Sequence, residues 1–170
     1  SNMSVIMERA SQVRLNVCCG DKVFPGDWIN VDRHGTPDVV SDACPLPFER
    51  DFADELHCYH GLEHLARKAA GEALLDWYRV LKPGGLLVLE LPSLDKIAAL
   101  IVAGEKNMRL TLFGLFGDPR DQKPDMMHQW CYGQNELLEM LSNVGFIDIQ
   151  FGEPVFHIAK RDMRVTARKP

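Results

Sequence analysis

Asp32, Asp42 and His60 each follow directly on a short predicted strand: WINV before Asp32, DVVS before Asp42 and ELHCY before His60. A fourth run, VRLNV, leads into Cys18, Cys19 and Gly20. A carboxylate closing a strand can accept hydrogen bonds from both hydroxyls of a ribose. An imidazole titrates near neutrality and can take a proton from an acceptor. Together these residue types suit a site that holds an adenosine and deprotonates a second molecule. His60, His64 and His128 are the candidate bases, with His60 best placed at a strand end. His64 and Glu63 lie on the turn after it, where packing and capping also account for them. His128, with Trp130 and Tyr132, would line an acceptor pocket; packing of a lid against the core would explain the two aromatics equally.

The first turn sets which adenosine ligand fits. Gly-x-Gly-x-x-Gly lets a backbone press against a pyrophosphate at a helix start. Here only Gly20 remains, followed by Asp21, whose charge would repel a pyrophosphate. Pro25-Gly26 leaves little room for a crossover helix before the next strand. NAD and FAD are therefore poor fits, and an adenosine without a pyrophosphate is a better one. No metal site is expected. His57, His60 and His64 would not all point one way from extended chain, and the adjacent Cys18-Cys19 pair lacks the two-residue gap of a zinc knuckle.

The elements follow from periodicity. Strands are predicted at 13–17, 28–31, 38–41, 55–59 and 86–91, the last apolar enough to be covered on both faces. Apolar residues at helical spacing run from 66 to 81, with Pro83-Gly84-Gly85 as the stop. Ser93 caps a helix to about residue 103. A helix spans 134–143, with Gly145 just past its end. Two closing strands, 146–151 and 163–167, form a hairpin. Residues 104–130 read as a lid or insertion, with apolar Leu110 to Phe116 as its core side in preference to a dimer or partner contact, and Arg161 to Lys169 reads as solvated surface. Strands alternating with helices imply a mostly parallel sheet with helices on both faces. Ligands of such sheets bind at the carboxyl ends of the strands, which gathers Cys18 to Gly20, Asp32, Asp42, Tyr59 and His60 around one crevice.

The sequence resembles class I S-adenosylmethionine-dependent methyltransferases, in their small type 11-like branch. The motifs are LNVCCG (15–20), SDACPLPF (41–48), YHGLEHL (59–65), WYRVLKPGGLLVLELPSLDKI (77–97) and HQWCYGQNELLEMLSNVGF (128–146), in the family's order. The resemblance implies a Rossmann-like three-layer sandwich of about seven strands, mostly parallel with the last antiparallel. It implies S-adenosyl-L-methionine as cofactor. Asn16, Cys18, Cys19 and Gly20 would pass along its methionine part. Asp32, with Arg33 beside it, would hold the ribose, and Asp42 and Ala43 would meet the adenine. Tyr59 and His60 would close the site beside the sulfonium, with His60 and His128 as catalytic candidates. The family usually has glycine where Cys18 stands, and often another where Lys22 stands.

Composition sets the remaining expectations. The chain has 170 residues, 46% hydrophobic and 25% charged, a globular balance for a single domain over 13–170. Residues 1–12 read as lead-in, with Ser1-Asn2 as an expression scar. A net charge of -5 argues against a phosphate-bound nucleic-acid partner. No run is long and apolar enough for a membrane span, and no signal peptide is visible. Five unevenly spaced cysteines do not form a disulfide framework and suit a reducing cytoplasm. The expected activity is methyl transfer to a small-molecule or sugar-type acceptor, by a monomer or homodimer. The competing expectation is a non-catalytic adenosyl-binding or scaffold protein of the same fold.

Overall fold

The structure, a computed structural model, describes residues 12–121 and 123–170. Nearly all of the expected lead-in lies outside the described residues. Seven strands form one sheet in the order β3-β2-β1-β4-β5-β7-β6. β1 (Arg14–Val17), β2 (Trp28–Asp32), β3 (Val39–Val40), β4 (Ala53–Tyr59) and β5 (Leu81–Pro92) run parallel. β7 (Asp162–Arg168) is antiparallel to both of its neighbours, β5 and β6 (Ile147–Gly152). This is the Rossmann-like, mostly parallel α/β sheet that the sequence predicts, with the last strand reversed.

Period-two alternation turns one set of side chains to the core. Leu15, Val17, Ile29, Val31, Leu56, Cys58, Leu87, Leu89, Leu91, Met163, Val165 and Ala167 form one buried cluster. Two helices cover it. α1 (Arg67–Val80) supplies Ala70, Ala73, Leu74, Trp77 and Val80, and α4 (Gln134–Val144) supplies Leu137, Met140 and Leu141. Between them come α2 (Leu94–Val102), whose N-cap Ser93 accepts from the Lys96 amide, and the short α3 (Leu112–Phe116). Gly145 closes α4 at φ 117°, a left-handed cap. Several alternate residues on the other side of the sheet are polar and pair with one another: the Asn16 amide donates to Asn30 Oδ1 at 2.9 Å, and Arg164 donates to Glu90. No helix lies between β1 and β4 among the described residues.

Three expectations change. Pro83-Gly84-Gly85 does not separate helix from strand; β5 already starts at Leu81, paired with Ala53. The chain end holds this entry, since Gly84 N donates to Lys169 O and Lys169 N to Gly85 O. Arg161 to Lys169 is not solvated surface. Asp162 is fully buried, Arg161 and Lys169 nearly so, and the Lys169 ammonium donates to Leu81 O and Asp51 Oδ1, both at 2.7 Å. Finally, α3 does not turn its large apolar residues to the core. Its buried residue is Gly114, where a Cβ would meet Ile97 at 2.6 Å and Arg161 at 2.9 Å, while Leu112 and Phe116 are exposed. The close approach of Ile97 and Arg161 selects the glycine face.

Candidate functional site

Parallel pairing of β1 with β2 puts the first turn beside Asp32. Gly20 N donates to Asp32 Oδ2 and His34 N donates to Asp32 Oδ1, each at 2.8 Å. Gly20 has φ +52° and an added Cβ would meet nothing within 4 Å, so the turn needs glycine for its backbone and leaves an open face. A carboxylate accepts about four hydrogen bonds, so Asp32 keeps about two for an incoming hydroxyl pair. At the next strand end Ser41 N donates to Asp32 O, which brings Asp42 alongside. There the Arg33 guanidinium donates to Asp42 Oδ1 at 2.6 Å, both side chains being exposed. Ala43 is held from below, its carbonyl accepting from Trp77 Nε1 at 2.8 Å.

The remaining cofactor candidates divide. Asn16 is buried and spends its amide hydrogens on Lys22 O and Asn30 Oδ1, bracing the turn from the polar side of the sheet. Cys19 is buried too, and burial first, then the charge of Asp32, pushes its thiol up to about 12, far from a reactive thiolate. Cys18 stands at φ 57°, where the family usually has glycine. Its side chain packs toward Gly61 and Cys58, where a Cβ on Gly61 would lie 2.6 Å from Cys18 Cβ and from Cys58 Sγ. Tyr59 projects to the polar side, its hydroxyl 2.7 Å from His57 Nδ1 and its ring against Phe24 and Phe156.

That packing yields a prediction. Gly61 has φ -122°, which any residue adopts, so Gly61→Ala tests space alone. Overpacking of this kind costs about 1–3 kcal/mol. Gly61→Ala is expected to lower stability by that amount, read as a lower urea midpoint, and adding Cys18→Ala to recover part of it. Equal midpoints for wild type and Gly61→Ala would show that the turn gives way freely.

His60 follows β4 at φ 55°, its amide donating to Glu90 O at 2.8 Å. Its Nδ1 is 3.2 Å from Glu63 Oε1, its Nε2 is 3.6 Å from Asp162 Oδ2, and its ring lies 3.9 Å from that of His157. Glu63 belongs to a short 3-10 turn, Leu62–His64, and its side chain is only 1% exposed. Burial alone would raise the Glu63 carboxyl, but the His60 hydrogen bond and the charges of His60, His64 and His128 hold it at about 2. His128 comes from the loop before α4. Burial pulls its imidazole below the usual range, and Nδ1 lies 2.8 Å from Gly114 O. The loop is tied in by Gln129 N, which donates to Glu63 O at 2.7 Å.

These groups line a cavity of about 200 Å³, walled by His60, Glu63, His64, His128, His157 and Arg161, with Arg109, Phe113 and Met126 at its outer side. Of the cofactor candidates only His60 reaches it. The strand ends thus bring together Gly20, Asp32, Arg33 and Asp42 in one group, and His60, His64 and His128 in a second. His157, Arg161 and Asp162 were not legible as site residues. They arrive through the β6–β7 hairpin, and a lone histidine and an Arg-Asp pair carry no local signal.

Residues 26–89 match the family model for a methyltransferase domain. Among curated proteins none matches. Among solved structures, a SAM-dependent methyltransferase from Archaeoglobus fulgidus is similar at 17% identity and TM-score 0.65, with 99% of this chain and 95% of that one covered. A possible exported protein from Bordetella parapertussis is similar at 20% identity and TM-score 0.61; the match covers 95% of this chain but 63% of that one. The Burkholderia thailandensis 1,6-didemethyltoxoflavin-N1-methyltransferase, solved with bound 1,6-didemethyltoxoflavin and S-adenosylhomocysteine, is similar at 16% identity and TM-score 0.61, with 98% of this chain and 75% of that one covered. At these identities the structures speak for the fold, and the family match speaks for the stretch that carries β2 to β5. Residues 26–89 are thus similar to a methyltransferase domain, within a chain whose fold is shared with SAM-dependent methyltransferases.

Proposed function

We propose that the chain transfers a methyl group from S-adenosyl-L-methionine to a small, polar, hydroxyl- or amine-bearing acceptor such as a sugar. The observation that carries this is that His60, which directly follows β4, also lines the cavity. The residues fit the cofactor. The open face of the Gly20 turn leaves room for its methionine part, Asp32 has acceptor capacity left for the ribose, and Asp42 and Ala43 lie at the next strand end. Asn16 and Cys19 would serve by shaping the turn, and Cys18, packed toward Gly61, by staying out of the crevice. When bound, the cofactor supplies an electrophilic methyl on a sulfonium. The chain's own work is to align the acceptor and exclude water. His60 is the proposed proton acceptor: its Nδ1 lies against Glu63 Oε1 and its side chain lines the cavity. His128 lines the acceptor side. Residues 104–130 form the proposed lid within a single domain over 13–170, and Arg109, Phe113 and Met126 would set acceptor choice. Five free cysteines suit the cytoplasm. No helix among the described residues is long and apolar enough to cross a membrane. The net charge favours a small-molecule partner over nucleic acid, and a monomer or homodimer suffices.

Two observations favour the non-catalytic alternative: Asp32 and Asp42 already hold protein partners, and no helix follows the first turn among the described residues. Melting with S-adenosylhomocysteine and turnover of labelled methyl into a panel of hydroxylated acceptors separate the two. Stabilisation with turnover that falls in His60→Ala, with an altered pH profile, supports the enzyme. Stabilisation without turnover supports the binding protein. Absence of stabilisation at millimolar ligand rejects both.

A further inference from the structure

We infer that Glu63, His64 and His128 form a divalent transition-metal site, of the kind that takes Zn2+. One ligand atom from each of the three lies within 4.8 Å of the others, and His64 Nε2 is 4.0 Å from Glu63 Oε1. Three features beyond proximity point to a ligand. First, Glu63 is 1% exposed and its Oε2 has no hydrogen-bond partner among the described residues. A buried carboxylate oxygen without a donor is costly, and a cation removes that cost. Second, both imidazoles use Nδ1 on backbone carbonyls: His64 on Met127 O at 3.3 Å and His128 on Gly114 O at 2.8 Å. This fixes the tautomer and leaves Nε2 as the ligand atom, the arrangement that metal-bound histidines almost always show. Third, the three ligands are pre-positioned by backbone. Gln129 N on Glu63 O and His128 N on Phe116 O anchor the loop that carries His128. Two imidazoles and one carboxylate match borderline cations such as Zn2+ rather than the hard ions Mg2+ and Ca2+. The three side chains face the cavity, so it holds room for a further ligand from solvent or acceptor. Glu63 would then bridge the metal through Oε2 and His60 through Oε1.

The site does not depend on methyl transfer, and its test uses metal alone. The full chain, stripped with EDTA, is titrated with ZnCl2 by calorimetry in a non-chelating buffer. Saturable binding of one equivalent is expected, weakened about tenfold or more in His64→Ala and in His128→Ala, and in Glu63→Gln. Circular dichroism checks that each variant is folded. Co2+ loaded into the wild type keeps the test independent of any variant: two paramagnetically shifted, exchangeable imidazole N–H resonances are expected, one per Nδ1–H. No saturable binding overturns the proposal. So does binding that survives both histidine variants but is lost in His157→Ala, which would assign the cation to the neighbouring His60, His157 and Asp162. A Co2+ spectrum lacking both resonances overturns it as well.

Discussion

Asp32→Ala is expected to abolish the stabilisation that S-adenosylhomocysteine gives the wild type. At a ligand concentration a hundredfold above its Kd, a native-state ligand stabilises by about 2.7 kcal/mol, which thermal melting reads directly. Asp32 acts twice. Its oxygens hold the Gly20 and His34 amides, and its free lone pairs are those left for the ribose. The variant therefore loses turn geometry and hydroxyl acceptors together. Its own stability should fall by less, about 1 kcal/mol, because both amides lie near the surface and water can replace the carboxylate. Asp32→Asn separates the roles. It keeps the shape but turns one acceptor into a donor facing a backbone N–H, so it should bind weakly while melting close to Asp32→Ala. A full ligand shift in Asp32→Ala would take the ribose away from this residue.

The largest loss of stability is expected from Asp162→Ala. Asp162 is fully buried, and its oxygens accept from Arg161 Nε at 2.7 Å, Arg161 Nη2 at 3.2 Å and Ile158 N at 3.1 Å. Removing one partner of a buried ion pair leaves the other charged and unpaired, at a cost of about 3–5 kcal/mol. Arg161 has one other acceptor among the described residues, Arg109 O at 3.0 Å, which cannot replace a carboxylate. The denaturant midpoint should drop with an unchanged m-value. The double variant Arg161→Met with Asp162→Ala should recover much of the loss, since the stranded charge is then gone. A drop below about 1 kcal/mol for the single variant would mean that water reaches the guanidinium freely. Because Asp162 also faces His60 Nε2, the variant is further expected to disturb the cavity beyond its effect on folding.

Local chemistry makes some features readable from the order of residues alone. Ser93 as N-cap and Gly145 as C-cap are choices a helix end makes from its own backbone. The apolar positions of α1 repeat at three and four, and those of β1, β2 and β4 alternate, so the core side of each can be read directly. The motif order places Asp32, Asp42 and His60 at strand ends for the same reason. Other readings fail because what decides them is not local. The Lys82–Gly85 turn looks like a stop because proline and glycine punctuate chains, yet the distant Lys169 pairs with it and keeps it in β5. Arg161 and Lys169 look like surface because charge alone says nothing about a buried carboxylate or carbonyl waiting elsewhere.

Capping, periodicity and turn chemistry act within a few residues, so the main elements, their order and the strand-end acids are readable along the chain. What those ends face depends on segments that meet only on folding. The β6–β7 hairpin places β7 beside β5, and with it His157, Arg161 and Asp162 beside His60. The loop before α4 closes on Glu63 through the Gln129 backbone amide and delivers His128. A buried glutamate with one oxygen unsatisfied exists only once these segments meet, since burial is a property of the packed chain and not of any residue in it.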